Sequence, residues 1–500
     1  MKNTTLKNIL GLLLIYIFFL TYLNSSSGTW GDDSDGYFLG SYYLNNGKIS
    51  PIDSDLITHF KDKGYNREEL KFLIPNRYSL NVDYSLNYRY PPGISYYITF
   101  FTTIYPDSLG YNFFVGIISI VNLILFYALL CILFASNKNN IVIAFITTFA
   151  LGMTSLYLQY SMAQPMRELP IMLLNSIILI LYFKFWKYGK TAYLLFALFV
   201  AAISLYVRHT NIFIFIIFIP LIKNVYFNNQ FDKKKIKEYF LYITLLGLIL
   251  MPLLIFNFQN TSNLFKPQSY DDHINAIQIK NIYDNGGKYR PGEGGLFLYS
   301  NYIVSIKSLL FIALGIVFLY KQKYLYIILY PILTLLLFSM WPNPYPRYIL
   351  PVIPFIYLLI ASSVVYVLDA KYIKTSIKTL FAIFFLVLLL PNTLIAFNEN
   401  FLSGKNYHKS LSVQDYENIT SLRKYQGIVL LDSSLYNQQG FLQFVNKNQI
   451  IIKQPIKNIT IIHLKEINSN IYLLTDKKKD KNILEQLLVK KRIYYLYEVN

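Results

Sequence analysis

About eleven apolar runs, each close to the length that crosses a bilayer, recur along the 500 residues and are separated mostly by short polar loops. A hydrocarbon core of about 30 Å takes roughly 20 predominantly apolar residues in helical form. Inside it every backbone N–H and C=O must find a partner within the protein, which leaves helices or a closed barrel. Runs of this length select helices. Their limits are 7–23, 111–135, 141–158, 169–186, 191–207, 211–227, 239–257, 301–320, 324–340, 348–368 and 378–397. GISYYITFFTTIY (93–105) is too short to span and follows Pro91-Pro92, so it is read as a helix lying in the interface, with proline in its first turn. A composition that is 54% hydrophobic and 17% aromatic, with a mean hydropathy of +0.37, excludes an ordinary soluble domain.

The cations orient the runs. Lys and Arg near span ends are retained on the cytoplasmic side. With the N-terminus inside, the inner loops carry Lys138; Lys184, Lys187 and Lys190; Lys233, Lys234, Lys235 and Lys237; Lys321 and Lys323; and Lys371, Lys374 and Lys378. The net charge of +19 therefore lies largely between apolar runs, where its partner is membrane lipid and not nucleic acid. The first run also fits a signal peptide, with Lys2 and Lys7 before it and SSSG after it, and cleavage would leave everything downstream on the same side. The single cysteine, Cys131, lies within a run, so no intrachain disulfide forms.

This topology places a first loop (24–110), a second long loop (258–300) and the tail outside. The expected organisation is a transmembrane domain over 1–397 and a small extracytoplasmic α/β domain over 398–500. In the tail, GIVLLDSS, QIIIK, ITIIHL, IYLLTD and RIYYLYEV read as strands and DKNILEQLLVKK as an amphipathic helix. All nine arginines fall outside: Arg67, Arg77, Arg89, Arg167, Arg208, Arg290, Arg347, Arg423 and Arg492. A planar guanidinium fork suits phosphate oxygens, although long loops also translocate regardless of their charge.

Polar chemistry gathers at few places. TWGDDSDGYFLGSYY (29–43) sets Asp32, Asp33 and Asp35 directly after the first run. SMAQPMRELP (161–170) opens a span with Arg167 and Glu168, and VRHTN (207–211) is a tight turn with Arg208, in which His209 is read as a turn residue. SYDDHIN (269–275) holds Asp271, Asp272 and His273, read as a loop turn or helix cap before they are read as a site. In WPNPYPRYILPVIP, Pro342, Pro344 and Pro346 fix an extended approach that holds Arg347 at the water boundary. The spans are otherwise almost free of charge. The exception, Lys307, is shallow enough to snorkel outward or to meet a lipid phosphate. No glycine-rich phosphate loop, zinc-type Cys/His spacing or Ser-His-Asp arrangement occurs.

Taken in order, residues 29–43, the Pro-Pro before an aromatic helix, Glu168 opening a span, the Arg-x-Thr turn at 208–210 and RYILPVIP resemble the GT-C membrane glycosyltransferases. The nearest type is the protein O-mannosyltransferase and aminoarabinose transferase, and the likeness covers roughly residues 1–400. It implies a bacterial cytoplasmic-membrane enzyme, active on its outer face, that takes a sugar from a polyprenyl-phosphate carrier to an acceptor that is lipid, glycan or protein. In that family an Asp-Glu pair followed by an aromatic residue opens the first loop, and the Asp is the proposed base. Counting back from Tyr37, Asp33 takes that position with Ser34 in place of Glu; the pair Asp32-Asp33 shifts the spacing by one, so both stay in view. Asp35 is read as an N-cap or first-turn acid for the helix carrying Tyr37. Arg347, Arg208 and Lys307 are the expected donor-phosphate ligands.

The chemistry asks for those groups. A carboxylate takes the proton of an attacking hydroxyl, and cations stabilise the departing phosphate. The Asp-rich loops permit a divalent cation without a ligand spacing that demands one. A non-catalytic transporter or flippase of lipid-linked saccharides, or a polysaccharide polymerase or ligase, is the alternative. The transporter is disfavoured by the absence of midplane charge.

Overall fold

The computed structural model describes residues 2–23, 37–42, 44, 54–74, 78–80, 86–88, 92–104, 108–137, 139–154, 156–158, 166–220, 244–255, 257–258, 277–283, 294–305, 309–322, 324–341, 345–397, 421–433, 435, 442, 449–455, 458–468, 470–475, 485–490 and 495–499. Each expected span has an apolar helix in its place. Among the described residues, three reach membrane-crossing length and apolarity, over Thr5–Tyr22, Val115–Leu133 and Glu168–Tyr188. The chain is an integral membrane protein.

Helix α1 (Lys2–Leu23) packs on α4 (Ser108–Leu133) and α5 (Asn140–Gly152). Tyr127 donates its hydroxyl to the Lys7 carbonyl at 3.1 Å, and Tyr22 donates to the Gly152 carbonyl. The opposite face of α1, with Ile9, Leu12, Tyr16 and Phe19, is bare, as a lipid-facing surface must be. Helix α12 (Ile353–Asp369) is buried almost all round and forms the centre of the bundle. It lies closest to α10 (Leu309–Lys321), where a Cβ on Gly315 would come within 2.1 Å of the Leu359 carbonyl oxygen. Helix α6 (Glu168–Tyr188) ends at Gly189, whose φ of 66° is the left-handed cap that glycine adopts freely. It is followed by α7 (Thr191–Val207).

Helix α3 (Gly93–Ile104) has the expected two faces: Ile94, Ile98 and Thr102 are buried, while Tyr96, Phe100 and Ile104 are bare. Its start lies hard against the end of α7, for a Cβ on Gly93 would fall 2.5 Å from the Tyr206 carbonyl oxygen. A helical segment over 37–42 packs on α3, with Ser95 donating to the Tyr37 carbonyl at 3.2 Å and Ser41 and Thr99 sharing a hydroxyl bond at 2.9 Å.

Two expected spans are built differently. The described part of 211–227 opens with the 3-10 helix His209–Phe218, in which Asn211, Ile214 and Ile217 are buried. A three-residue step lines these up on one side, as three residues per turn require. The place of 301–320 is taken by α9 (Gly295–Ser305) and α10. Helix α8 (Thr244–Ile255) and helices α11 (Tyr326–Ser339) and α13 (Thr375–Phe397) complete the apolar set.

Two short strands, β1 (Tyr78–Leu80) and β2 (Leu86–Tyr88), pair antiparallel. The tail folds on a five-stranded sheet of order β4-β3-β5-β7-β6, with β3 (Ile428–Leu431), β4 (Ile450–Lys453), β5 (Ile471–Thr475), β6 (Glu485–Lys490) and β7 (Tyr495–Val499). Strand β3 runs parallel to β4 and β5, and β7 pairs antiparallel with β5 and β6. Two segments of the tail fold otherwise than their sequence suggests. ITIIHL lies in α14 (Asn458–Ile467), because Thr460 and Leu464, one turn apart, supply the buried side while Ile462 is bare. ILEQLLVK is not helical over its described residues; Glu485–Lys490 pairs with β7, with Leu487 opposite Tyr497, and sheet pairing overrides the helix-forming side chains.

Both faces of this sheet are covered. Val429, Leu431, Ile451, Tyr472 and Leu474 join the main core with the membrane helices. Alternate residues Ile428, Leu430, Ile452, Ile471 and Leu473 pack against Leu56, Ile57 and Phe60 of α2 (Ser54–Asp62) and Leu70 and Phe72 of a following 3-10 turn. Tyr65 bonds Thr460 and His463 at 3.2 and 3.0 Å, Lys453 donates to the Ile74 carbonyl at 2.9 Å, and Lys63 meets Glu466 at 2.9 Å. The Lys63 hydrogen bond holds the Glu466 carboxyl below its ordinary range.

Candidate active site

Four chain junctions meet at one end of the bundle: the start of α6, the turn from α7 into the 3-10 helix, the end of α11, and a 3-10 turn over Pro346–Ile349 that leads toward α12. Glu168 and Arg208 come together there, with Arg208 Nη1 donating to Glu168 Oε1 at 3.0 Å. They are only 2% and 5% exposed, so the pair is shielded from water. The Arg208 guanidinium also lies over Phe338 and Tyr348, 4.6 and 5.2 Å from the ring centroids. Aromatic faces attract a desolvated cation, and Arg is the side chain whose planar head serves pairing and stacking together.

Arg347 reaches the same ring, with its guanidinium 5.3 Å from the Tyr348 centroid and 4.8 Å from that of Tyr345. It also donates to Met166 Sδ at 3.4 Å. Tyr348 thus joins two guanidinium groups from separate elements. Arg167, next to Glu168, lies 5.7 Å from the Tyr37 centroid, which ties the segment after the acidic stretch to the start of α6. Tyr299 of α9 donates to the Tyr345 carbonyl at 3.3 Å and stands within electrostatic reach of Arg208 and Arg347.

Beneath the ion pair lies a neutral polar knot. Asn175, two turns after Glu168 on α6, donates to Tyr330 at 2.8 Å, and Tyr330 donates to Asn211 at 2.8 Å. Asn211 in turn donates to Asn175 Oδ1 at 3.0 Å and to Ser204 at 2.8 Å. Buried amides and hydroxyls satisfied this fully fix the register of α6, α7, α11 and the 3-10 helix. A piece of the second long loop closes the rim: Gln278 N and Asn281 Nδ2 donate to the Met340 carbonyl at 3.1 and 2.9 Å.

No protein-family model matches the chain, and no curated protein matches it in sequence. Solved structures do match it in fold. ArnT from Cupriavidus metallidurans, in its apo state, superposes with a TM-score of 0.57 at 9% identity, covering 100% of this chain and 98% of its own. The same protein bound to undecaprenyl phosphate gives 0.55 at 9%, over 98% and 97%. The oligosaccharyltransferase of Archaeoglobus fulgidus, in complex with Zn and sulfate, gives 0.54 at 13%, over 94% of this chain and 68% of its own. The chain has a GT-C fold.

In this GT-C fold, Tyr37, Glu168, Arg208 and Arg347, all singled out from the sequence, fall in one cluster. Asp32, Asp33, Asp35, Asp271, Asp272, His273 and Lys307 lie outside the described residues. Among the described residues no three His, Cys, Asp or Glu side chains converge as a metal site. The aromatic seats Phe338 and Tyr348 and the knot of Asn175, Asn211 and Tyr330 were not anticipated. Their signal in the sequence is faint: Asn175 and Asn211 are amides inside apolar runs, each a short step from Glu168 or Arg208.

Proposed function

We propose that the protein is a membrane glycosyltransferase that moves a sugar from a polyprenyl-phosphate carrier to an acceptor on the extracytoplasmic face. The observation carrying this reading is the cluster of arginines on aromatic rings beside Tyr37, in a fold shared with a protein that binds undecaprenyl phosphate. A donor held in the bilayer by its lipid tail presents its phosphate at headgroup height, where Arg347 and Arg167 supply guanidinium groups. Lys307 is assigned to the same phosphate. The pairing of Arg208 with Glu168 turns it, in this reading, from a phosphate ligand into a positioning residue that holds Tyr348 and the start of α6 in place.

Asp33, four residues before Tyr37, is the proposed general base, with Asp32 as the neighbouring choice. The acceptor oxygen bonds to the anomeric carbon as its proton passes to the carboxylate, and the carbon–oxygen bond to phosphate breaks with its electron pair leaving on the lipid phosphate. Cations at the phosphate stabilise that charge. Asp271, Asp272 and His273, on the second long loop, are candidates for the acceptor side.

The test uses the purified full chain and an undecaprenyl-phosphate-linked sugar, with release of undecaprenyl phosphate as the readout. Release by the wild type, abolished in Asp33→Asn with normal membrane insertion, is the expected result. A wild type that moves the lipid-linked sugar across vesicles without releasing lipid phosphate would instead establish a flippase.

A further inference from the structure

His209 follows Arg208 directly and opens the 3-10 helix. The residue as a whole is half-buried, but its Nε2 is sealed from solvent and has no hydrogen-bond partner among the described residues. Arg167 stands within electrostatic reach of the ring, and Arg167 is the cation that touches Tyr37. The large majority of buried side-chain polar atoms find a partner in folded proteins, and leaving one unmade carries a desolvation cost. The orphan here is not in a remote core. His209 adjoins Arg208 of the buried Glu168–Arg208 pair in the chain and lies within electrostatic reach of Arg167.

We infer that His209 Nε2–H is a further ligand of the donor phosphate, a hydrogen-bond donor that is satisfied only when an anionic phosphoryl oxygen occupies the site. A neutral imidazole carries one N–H and one lone pair. Among arginines, the incoming partner is an oxyanion, which calls for the N–H. A hydrogen bond to a charged oxygen is stronger and shorter than a neutral one, so one such contact accounts for a large share of affinity. The inference rests on the reading of the cluster as a donor-phosphate site.

The experiment measures binding of undecaprenyl phosphate to the full chain in nanodiscs, for the wild type, His209→Phe, His209→Gln and Arg347→Ala. Inorganic phosphate is a second probe that lacks the lipid tail. His209→Phe keeps the bulk and removes the donor, and is expected to weaken lipid binding by about 10-fold or more. His209→Gln, which keeps an N–H at similar reach, restores most of it. The unliganded His209→Phe protein should melt no lower than the wild type, because the lost group had no partner; a purely structural histidine predicts the reverse. Parallel weakening of inorganic phosphate places the contact on the phosphoryl group itself. Binding by His209→Phe equal to wild type, with Arg347→Ala impaired, overturns this inference alone. A wild type that binds neither probe overturns both it and the phosphate reading of the site.

Discussion

Glu168 and Arg208 illustrate how a charge pair can be structurally indispensable without adding much net stability. Desolvation offsets most of their attraction, yet stranding either partner leaves a bare charge in the interior. Glu168→Gln is therefore expected to cost about 3–5 kcal/mol, while Glu168→Leu combined with Arg208→Leu lies closer to the wild type. Thermal unfolding in detergent separates the two outcomes, and equal melting of both variants would show that the pair is not coupled. Arg347→Ala is the contrasting case. It should weaken undecaprenyl phosphate binding by about 10-fold or more while shifting the melting temperature little. At this scale the sequence was legible wherever polarity stood out against an apolar background, as with Glu168, Arg208 and Arg347. His209 did not stand out, because its role depends on what fails to approach its Nε2, and that is a property of packing.

At the scale of elements, the 3-10 helix at 209–218 is the piece on which the site depends. Its first residues carry Asn211, which bonds α6, α7 and, through Tyr330, α11. Asn211→Leu fills similar volume but strands Asn175 and Ser204, and should cost roughly 1–3 kcal/mol for each buried group left unsatisfied. Undecaprenyl phosphate binding should fall with it, whereas full retention of affinity would separate the knot from the cluster above. Gly315→Val should be more damaging still, since the backbone of Leu359 occupies the space its side chain needs; folded yield on size-exclusion chromatography reads this. Span positions were readable from hydrophobic length alone. Helical type was not, because a run apolar on every side carries no periodicity to distinguish three residues per turn from 3.6. The tail shows the same limit from the other side. β-branched residues disguised α14 and helix-forming residues disguised β6, and in both only the tertiary partner decided.

For the whole molecule, the reading of the cluster requires that residues 33 and 347 face one aqueous compartment. Replacing the buried Cys131 gives a cysteine-free background, and single cysteines at 33 and 347 are then expected to react with a membrane-impermeant maleimide from the same side. Labelling from opposite sides would end the proposal. The two-sided sheet joins distant parts of the chain: Tyr65 and His463 are bonded across 398 positions of sequence. At synthesis rates of about 5–20 residues per second, the ribosome needs on the order of 20–80 s to make that much chain. Through that interval Leu56, Ile57, Phe60 and Phe72 have emerged and their cover has not been made. The newborn protein is thus most exposed to proteases and to aggregation at α2, whose shelter comes only when β3, β4, β5 and α14 arrive to cover a segment translated near the beginning.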